Sequence, residues 1–153
     1  MNAFAPYRTV EPSGSILSLE DAKAHLRVTH DDEDALIAAL IAAAVSYLDG
    51  YSGILGCALL TQQWAMPMDC FPACDRIRLP LGPLGDPAQV SITYFDTAAV
   101  EQSFTAFTPM TDAIGPLLVL DRGASWPAHS VRADAILVSW TCGFGDVAAD
   151  VPA

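Results

Sequence analysis

The apolar positions between residues 35 and 48 repeat at helical spacing, but no polar face accompanies them. The larger side chains and one alanine share one side: Leu36, Ile37, Leu40, Ile41, Ala44, Val45 and Leu48. The opposite side carries only small ones: Ala35, Ala38, Ala39, Ala42 and Ala43. A helix that is apolar all round is normally buried all round. A chain of 153 residues has little room to bury it alone, so the pattern predicts packing against copies of the same chain. The predicted subunit interface consists of Ala38, Ala39, Ala42 and Ala43.

A shorter helix is predicted before this one, over about Leu19 to Arg27. Ser18 is a good N-cap, and the acidic residues that follow it complement the helix dipole. Asp31 or Asp32 is expected to cap the second helix. Glycines, the last of them Gly53, mark its end.

After the helices the pattern changes to short runs of strand-forming residues separated by prolines and glycines. The predicted strands are Gln63–Met68, Arg76–Leu79, Val90–Phe95, Val100–Phe104, Leu117–Leu120 and Ile136–Thr141. The third and fourth are expected to pair antiparallel across a turn at residues 96–99. Helices followed by strands indicate an α+β fold.

The predicted architecture is therefore an N-terminal helical hairpin packed with a small antiparallel β region. Residues 1–17 contain two prolines and no apolar core, so they are predicted to be a flexible arm. Residues 18–153 form a single predicted domain, which is helical over 18–56 and β-rich over 59–145.

Composition and charge narrow the range of partners. The chain is 52% hydrophobic and only 16% charged, and its formal net charge is -11. So acidic a protein lacks the Lys and Arg that tight capture of nucleic acid requires, although DNA can pass an acidic surface without binding to it. The longest apolar run, Ala35 to Val45, is too short to span a bilayer, so no membrane partner is expected.

One acidic cluster resembles a metal site. His30 is followed by four acidic residues that end at Asp34, and carboxylates with a neighbouring imidazole can bind a divalent cation. This pattern leaves open a small metal-dependent hydrolase. The favoured interpretation is a solvated helix N-terminus whose dipole the acids complement. No residue is therefore assigned to catalysis, to a cofactor or to a metal, and no cofactor is expected.

Two further segments are candidates for partner contacts. Arg76 and Arg78 share one strand face, where they either contact a phosphate backbone or acidic partner, or keep an exposed edge soluble. The proline-rich loop Leu81 to Ala88 is predicted to bind a partner, because loops frequently carry binding residues. Its predicted contact residues are Leu81, Leu84 and Asp86.

Several motifs resemble, in order and spacing, the head–tail connector (adaptor) family of long-tailed phages and gene transfer agents. The matching segments are SLEDAKAHLRV (18–28), HDDEDALIAALIAAAVSYLDGYSG (30–53), LLTQQW (59–64), IRLPLGPL (77–84), VSITYFD (90–96), WP (126–127), VSWTCGFG (138–145) and DVP (150–152). Each segment alone is only a helix, strand or turn signature. Their shared order is considerably more specific.

The resemblance implies a non-enzymatic virion protein at the head–tail interface, assembled in the bacterial host cytoplasm. Such proteins form a ring, typically of twelve copies, under the portal of a DNA-filled capsid. The ring extends the DNA channel, binds no particular DNA sequence, and docks the next tail or stopper protein. A neighbouring virion part, such as a stopper or tail terminator, is the alternative within the same particle.

The chain departs from the family pattern at two places. Family members often have a glycine in the hairpin that follows the YFD-like strand, where this chain has Ala98 and Ala99. The family also continues after the DVP-like segment into C-terminal helices that help engage the portal. This sequence ends at Ala153, so the resemblance predicts that a C-terminal helix is missing from it.

Overall fold

The computed structural model describes residues 4–152 and contains two helices and eight strands. The helices are α1 (Leu19–Leu26) and α2 (Asp34–Leu48). The strands are β1 (Tyr7–Val10), β2 (Gln62–Met68), β3 (Arg76–Arg78), β4 (Ser91–Phe95), β5 (Glu101–Phe104), β6 (Phe107–Thr111), β7 (Pro116–Leu120) and β8 (Ile136–Cys142). The fold is thus of the mixed α+β type that the sequence predicts.

The strands form two antiparallel sheets. The five-stranded sheet has the order β1-β2-β8-β4-β5, and the three-stranded sheet has the order β3-β7-β6. Side chains from both sheets form one hydrophobic core. Its largest fully buried members include Trp140 and Met68 from the first sheet and Leu118 from the second. The alternation predicted along β4 is confirmed, because Ile92 is buried and Tyr94 packs against the same core.

The predicted flexible arm over residues 1–17 is wrong for Tyr7–Val10, which form the edge strand β1 and pair with β2. No alternation in the sequence signals this strand. Arg8 instead stabilises it through non-local contacts with Asp49 and with the ring of Trp64. Residues 1–3 of the arm, and Ala153 at the other end of the chain, lie outside the described residues.

Two further local expectations differ from the structure. Strand β6 was not predicted, because Pro109 interrupts its pattern; it lies at the edge of its sheet, where a proline is tolerated.

Helix α2 begins at Asp34 with Glu33 at the N-cap and no side-chain cap. The predicted cap Asp31 is instead bonded to Lys23. By contrast, Ser18 caps α1 as predicted, accepting a hydrogen bond from the Asp21 amide at 3.0 Å.

In the β4–β5 turn an alanine occupies the position where the family pattern often has glycine. Ala99 adopts the left-handed conformation, with φ of 60°. The Ala99 amide donates to the carbonyl of Asp96, and the amides of Ala98 and Val100 donate to its carboxylate. The bonds to the carboxylate, chiefly the one from the Val100 amide, lower the pKa of Asp96. This is a type I turn followed by a left-handed residue, the position at which glycine is ordinarily favoured.

We expect Ala99→Gly to raise the free energy of unfolding by about 0.5–1 kcal/mol, because glycine removes the Cβ strain of the left-handed conformation. Chemical denaturation measures the change. Ala98→Gly is the matched control: Ala98 lies outside the left-handed region, so glycine there should leave stability unchanged or lower it. Equal effects of the two substitutions would contradict the assignment of strain to Ala99.

Candidate functional site

Most of the apolar surface of helix α2 is exposed. Ile37 alone is fully buried among its residues, at 5% exposure, and the four alanines predicted to form a subunit interface all face solvent. The large side chains of Leu36 and Leu40 are each 59% exposed, and Tyr47 is 65% exposed. Scattered exposed apolar residues are normal, but a contiguous apolar face typically marks an interaction surface.

One side of α2 borders a half-open groove of about 540 Å³. Four α2 residues line this inner groove: Ala38, Ile41, Ala42 and Val45. Its other wall includes Leu17, from the segment between β1 and α1, and Leu19, the first residue of α1. Two of the predicted interface alanines, Ala38 and Ala42, therefore lie in a concave surface.

The opposite side of α2 carries a ridge of Leu36, Leu40, Ala43 and Tyr47. These residues are spaced by four, three and four positions, which places them one above the other on a helix. All four are exposed. The turn that follows α2 adds exposed Ile54 and Leu55 to the apolar surface, together with exposed Tyr51, which lines the inner groove.

A buried carboxylate fastens the end of α2 to the sheet. Asp49 is 7% exposed and accepts a hydrogen bond from the Leu59 amide at 2.7 Å. Gln62 donates to both of its oxygens, at 3.1 and 3.2 Å, and Arg8 forms an ion pair with it at 2.8 Å. The guanidinium of Arg8 also lies over the ring of Trp64, 5.2 Å from the centroid. This network joins β1, α2 and β2, and so holds the exposed helix in place.

The proline-rich loop is less available to partners than the sequence suggests. Leu81 is 1% exposed and belongs to the hydrophobic core, so the prediction that it contacts a partner is corrected. Its apolar side chain is buried between the sheets rather than carried on the surface. Leu84 is half-buried and pairs with Cys142 in an isolated bridge. Asp86 is exposed, and its carboxylate accepts from the Ala88 amide at 2.9 Å.

The two strand arginines are exposed but already paired. Arg76 contacts Asp75 at 3.0 Å, and Arg78 makes a bidentate ion pair with Asp112, with N–O distances of 2.7 and 3.0 Å. The Arg78 guanidinium lowers the pKa of Asp112 and is the largest cause of that shift. The pair joins β3 to the β6–β7 turn. Whether either arginine also binds a partner stays a prediction.

The acidic cluster at residues 30–34 is organised around a lysine. Lys23 on α1 donates to Asp31 and to Asp34, both at 2.6 Å. The bond from Lys23 lowers the pKa of Asp31, and the bond to Asp31 is the main cause that raises the pKa of Lys23. Within residues 4–152, no group of three or more His, Cys, Asp or Glu side chains is placed to hold a metal ion. The cluster links the start of α2 to α1.

The sequence analysis did not predict that Asp49 holds α2 to the sheet, or that the turn at residues 51–55 adds to the exposed apolar surface. A signal for the turn existed, since three large apolar residues within five positions are unusual beside glycines. No comparable signal marked Asp49, because its partner Arg8 is 41 residues away in the chain.

The sequence comparison agrees with the motifs. Residues 16–81 match the family model described as phage gp6-like head-tail connector protein. The resemblance to the head–tail connectors is thereby confirmed. The matched residues contain both helices, with the α2 side of the inner groove, and Asp49 with its partners Leu59 and Gln62, whereas Arg8 lies outside them. No curated protein matches the chain.

Solved structures share the connector fold over nearly the whole chain. The neck of an empty gene transfer agent particle, computed with C6 symmetry, contains a chain 20% identical with a TM-score of 0.74; the match covers 97% of this chain and 76% of that one. A chain in the virion of a native gene transfer agent particle is 21% identical, with the same coverages and a TM-score of 0.72. A chain in the neck of a native particle, computed with C12 symmetry, is 19% identical and scores 0.58, with 94% and 74% covered. At these identities the likeness concerns the fold.

Across residues 4–152, neither helix has the length and apolar character that crossing a bilayer requires.

Proposed function

We propose that this chain is a structural, non-enzymatic adaptor that joins the head of a phage-like particle to its tail. Copies of it form a ring, of twelve subunits, under the portal of the capsid. The ring extends the channel through which DNA passes and presents a platform to the next tail or stopper protein. The protein is assembled in the host cytoplasm and resides in the virion.

The observation that carries this proposal is the exposed apolar helix α2. A single copy leaves Leu36, Leu40 and Tyr47 largely in solvent, although burying each such side chain is worth about 1.5–3 kcal/mol. A helix that is apolar on all sides is normally buried on all sides, so another surface is expected to cover it. We propose that the two helices act as a hairpin that supplies this contact between copies.

The total surface area supports the same proposal. The chain exposes 9054 Å², whereas a monomeric protein of its mass typically exposes about 7,500 Å². An excess of about 1,600 Å² is large enough to supply two standard contacts of about 800 Å² each. A subunit in a closed ring makes two such contacts, one with each neighbour.

The family match and the particles in which the fold occurs favour the position in the virion. Residues 16–81 match a head-tail connector model, and two of the structures with this fold are necks computed with six-fold and twelve-fold symmetry. The net charge of -11 suits a channel wall that must not retain DNA.

Removing the gene from the genome that encodes the particle tests the proposal. We expect separate heads and tails by electron microscopy, with tailed particles restored when the gene is supplied in trans. Tailed particles in normal number without the gene would contradict the adaptor function.

A further inference from the structure

The ridge and the inner groove lie on opposite sides of one helix. With 3.6 residues per turn, the mean direction of the ridge residues is about 180° from that of the groove residues Ala38, Ile41, Ala42 and Val45. One side of α2 carries exposed leucine and tyrosine. The other side borders the groove, which it lines with alanine, isoleucine and valine.

We propose that the ridge of one copy packs into the inner groove of the next copy around the ring. This inference rests on the proposed ring and names the surfaces that build it. Each copy then offers a ridge to one neighbour and a groove to the other, so that α2 is covered on both sides.

Both surfaces are largely apolar, and one is a groove while the other carries long exposed side chains. The groove holds about 540 Å³, far more than the roughly 30 Å³ that a water molecule occupies. Its alanines allow a neighbouring helix to approach closely, while the long side chains of Leu36 and Leu40 project from the ridge. A helix that lays apolar residues at positions i, i+4 and i+7 into a groove is a recurrent mode of recognition.

The arrangement also favours a ring over a pair. A two-fold contact uses the same patch on both copies, so a ridge-to-ridge dimer would leave both grooves open. Here the two contact surfaces differ and lie on opposite sides of one helix. Each new copy therefore binds the previous copy head to tail, always in the same relative orientation. Such head-to-tail contacts close into a ring when the rotation between copies allows it.

Cysteine cross-linking tests the contact directly. Ala43→Cys places a thiol on the ridge and Ala38→Cys places one in the groove; both alanines are exposed, so the fold should tolerate the changes. The background chain carries Cys57→Ser, Cys70→Ser and Cys74→Ser. Cys142 is retained, because it is buried and burial raises its pKa to about 12. The full chain is oxidised alone and together with its portal protein.

The double variant, with both new cysteines, is expected to give a ladder of cross-linked species that ends at the ring. Each single variant should give no cross-link alone, and a mixture of the two should give cross-linked dimers. Ala24→Cys on α1, paired with Ala43→Cys, is the matched control and should give none.

Two results would overturn the inference while leaving the ring proposal intact. The first is a ring of wild-type mass in which the double variant gives no ladder. The second is efficient cross-linking of Ala43→Cys with itself, which would indicate a ridge-to-ridge contact. Absence of any ring, with or without portal, would instead overturn the proposed function and this inference with it.

Discussion

Ala42→Glu abolishes assembly of the ring and leaves the stability of the single subunit nearly unchanged. Ala42 is exposed and lines the inner groove, so a glutamate there can extend into solvent in the free chain. Glutamate is also a good helix former, and surface substitutions of this kind typically change the free energy of unfolding by less than about 0.5 kcal/mol. In the assembled ring, the same carboxylate would be buried against apolar side chains without a partner, which is strongly unfavourable.

Light scattering coupled to size-exclusion chromatography, with and without portal, measures assembly, and thermal or chemical denaturation measures subunit stability. Ala24→Glu is the matched control, since it places the same side chain on an exposed alanine of α1 and should leave assembly intact. Retained assembly, or a loss of subunit stability that accounts for the loss of assembly, would count against an interface at Ala42.

Asp49→Ala has the largest effect that we expect on folding, a loss of about 2–4 kcal/mol in the free energy of unfolding. The substitution leaves the buried Leu59 amide without its acceptor and removes the main acceptor of the Gln62 side chain, which keeps only the Leu60 carbonyl at 3.2 Å. It also breaks the ion pair with Arg8, whose guanidinium is 26% exposed and keeps its contact with Glu11. A buried donor without a partner carries a desolvation penalty, and a hydrogen bond to a charged group is worth more than a neutral one. Chemical denaturation measures the loss.

Two companion variants separate the causes. Asp49→Asn keeps an oxygen that can accept hydrogen bonds but removes the ion pair with Arg8, so its loss should be intermediate. Asp32→Ala removes an exposed aspartate whose carboxylate lies 3.8 Å from the His30 ring, and it should change stability by less than about 0.5 kcal/mol. If Asp49→Ala behaved like Asp32→Ala, the network would not be what holds α2 to the sheet.

The parts of the fold that were predictable depend on local chemistry. Ser18 satisfies an amide three residues away, so the start of α1 can be recognised in the sequence itself. The strand at Ser91–Phe95 turns Ile92 and Tyr94 toward the core, and this spacing of two is visible in its residues. The same is true of the apolar character of α2, which the sequence shows and the structure leaves exposed.

The parts that were missed depend on residues far apart in the chain. The ion pair between Arg8 and Asp49 stabilises strand β1, and no pattern within residues 7–10 predicts that strand. The proline-rich loop was predicted to bind a partner, but Leu81 belongs to the hydrophobic core that side chains of both sheets form. The inner groove likewise could not be predicted, since its walls come from the segment before α1 and from α2.

Native mass spectrometry of the full chain with its portal protein tests the central claim, that sister copies cover helix α2, most directly. We predict a complex in which many copies of the chain, twelve in the proposed ring, are bound to one portal assembly. A chain that remains monomeric both alone and in the presence of the portal would contradict the claim.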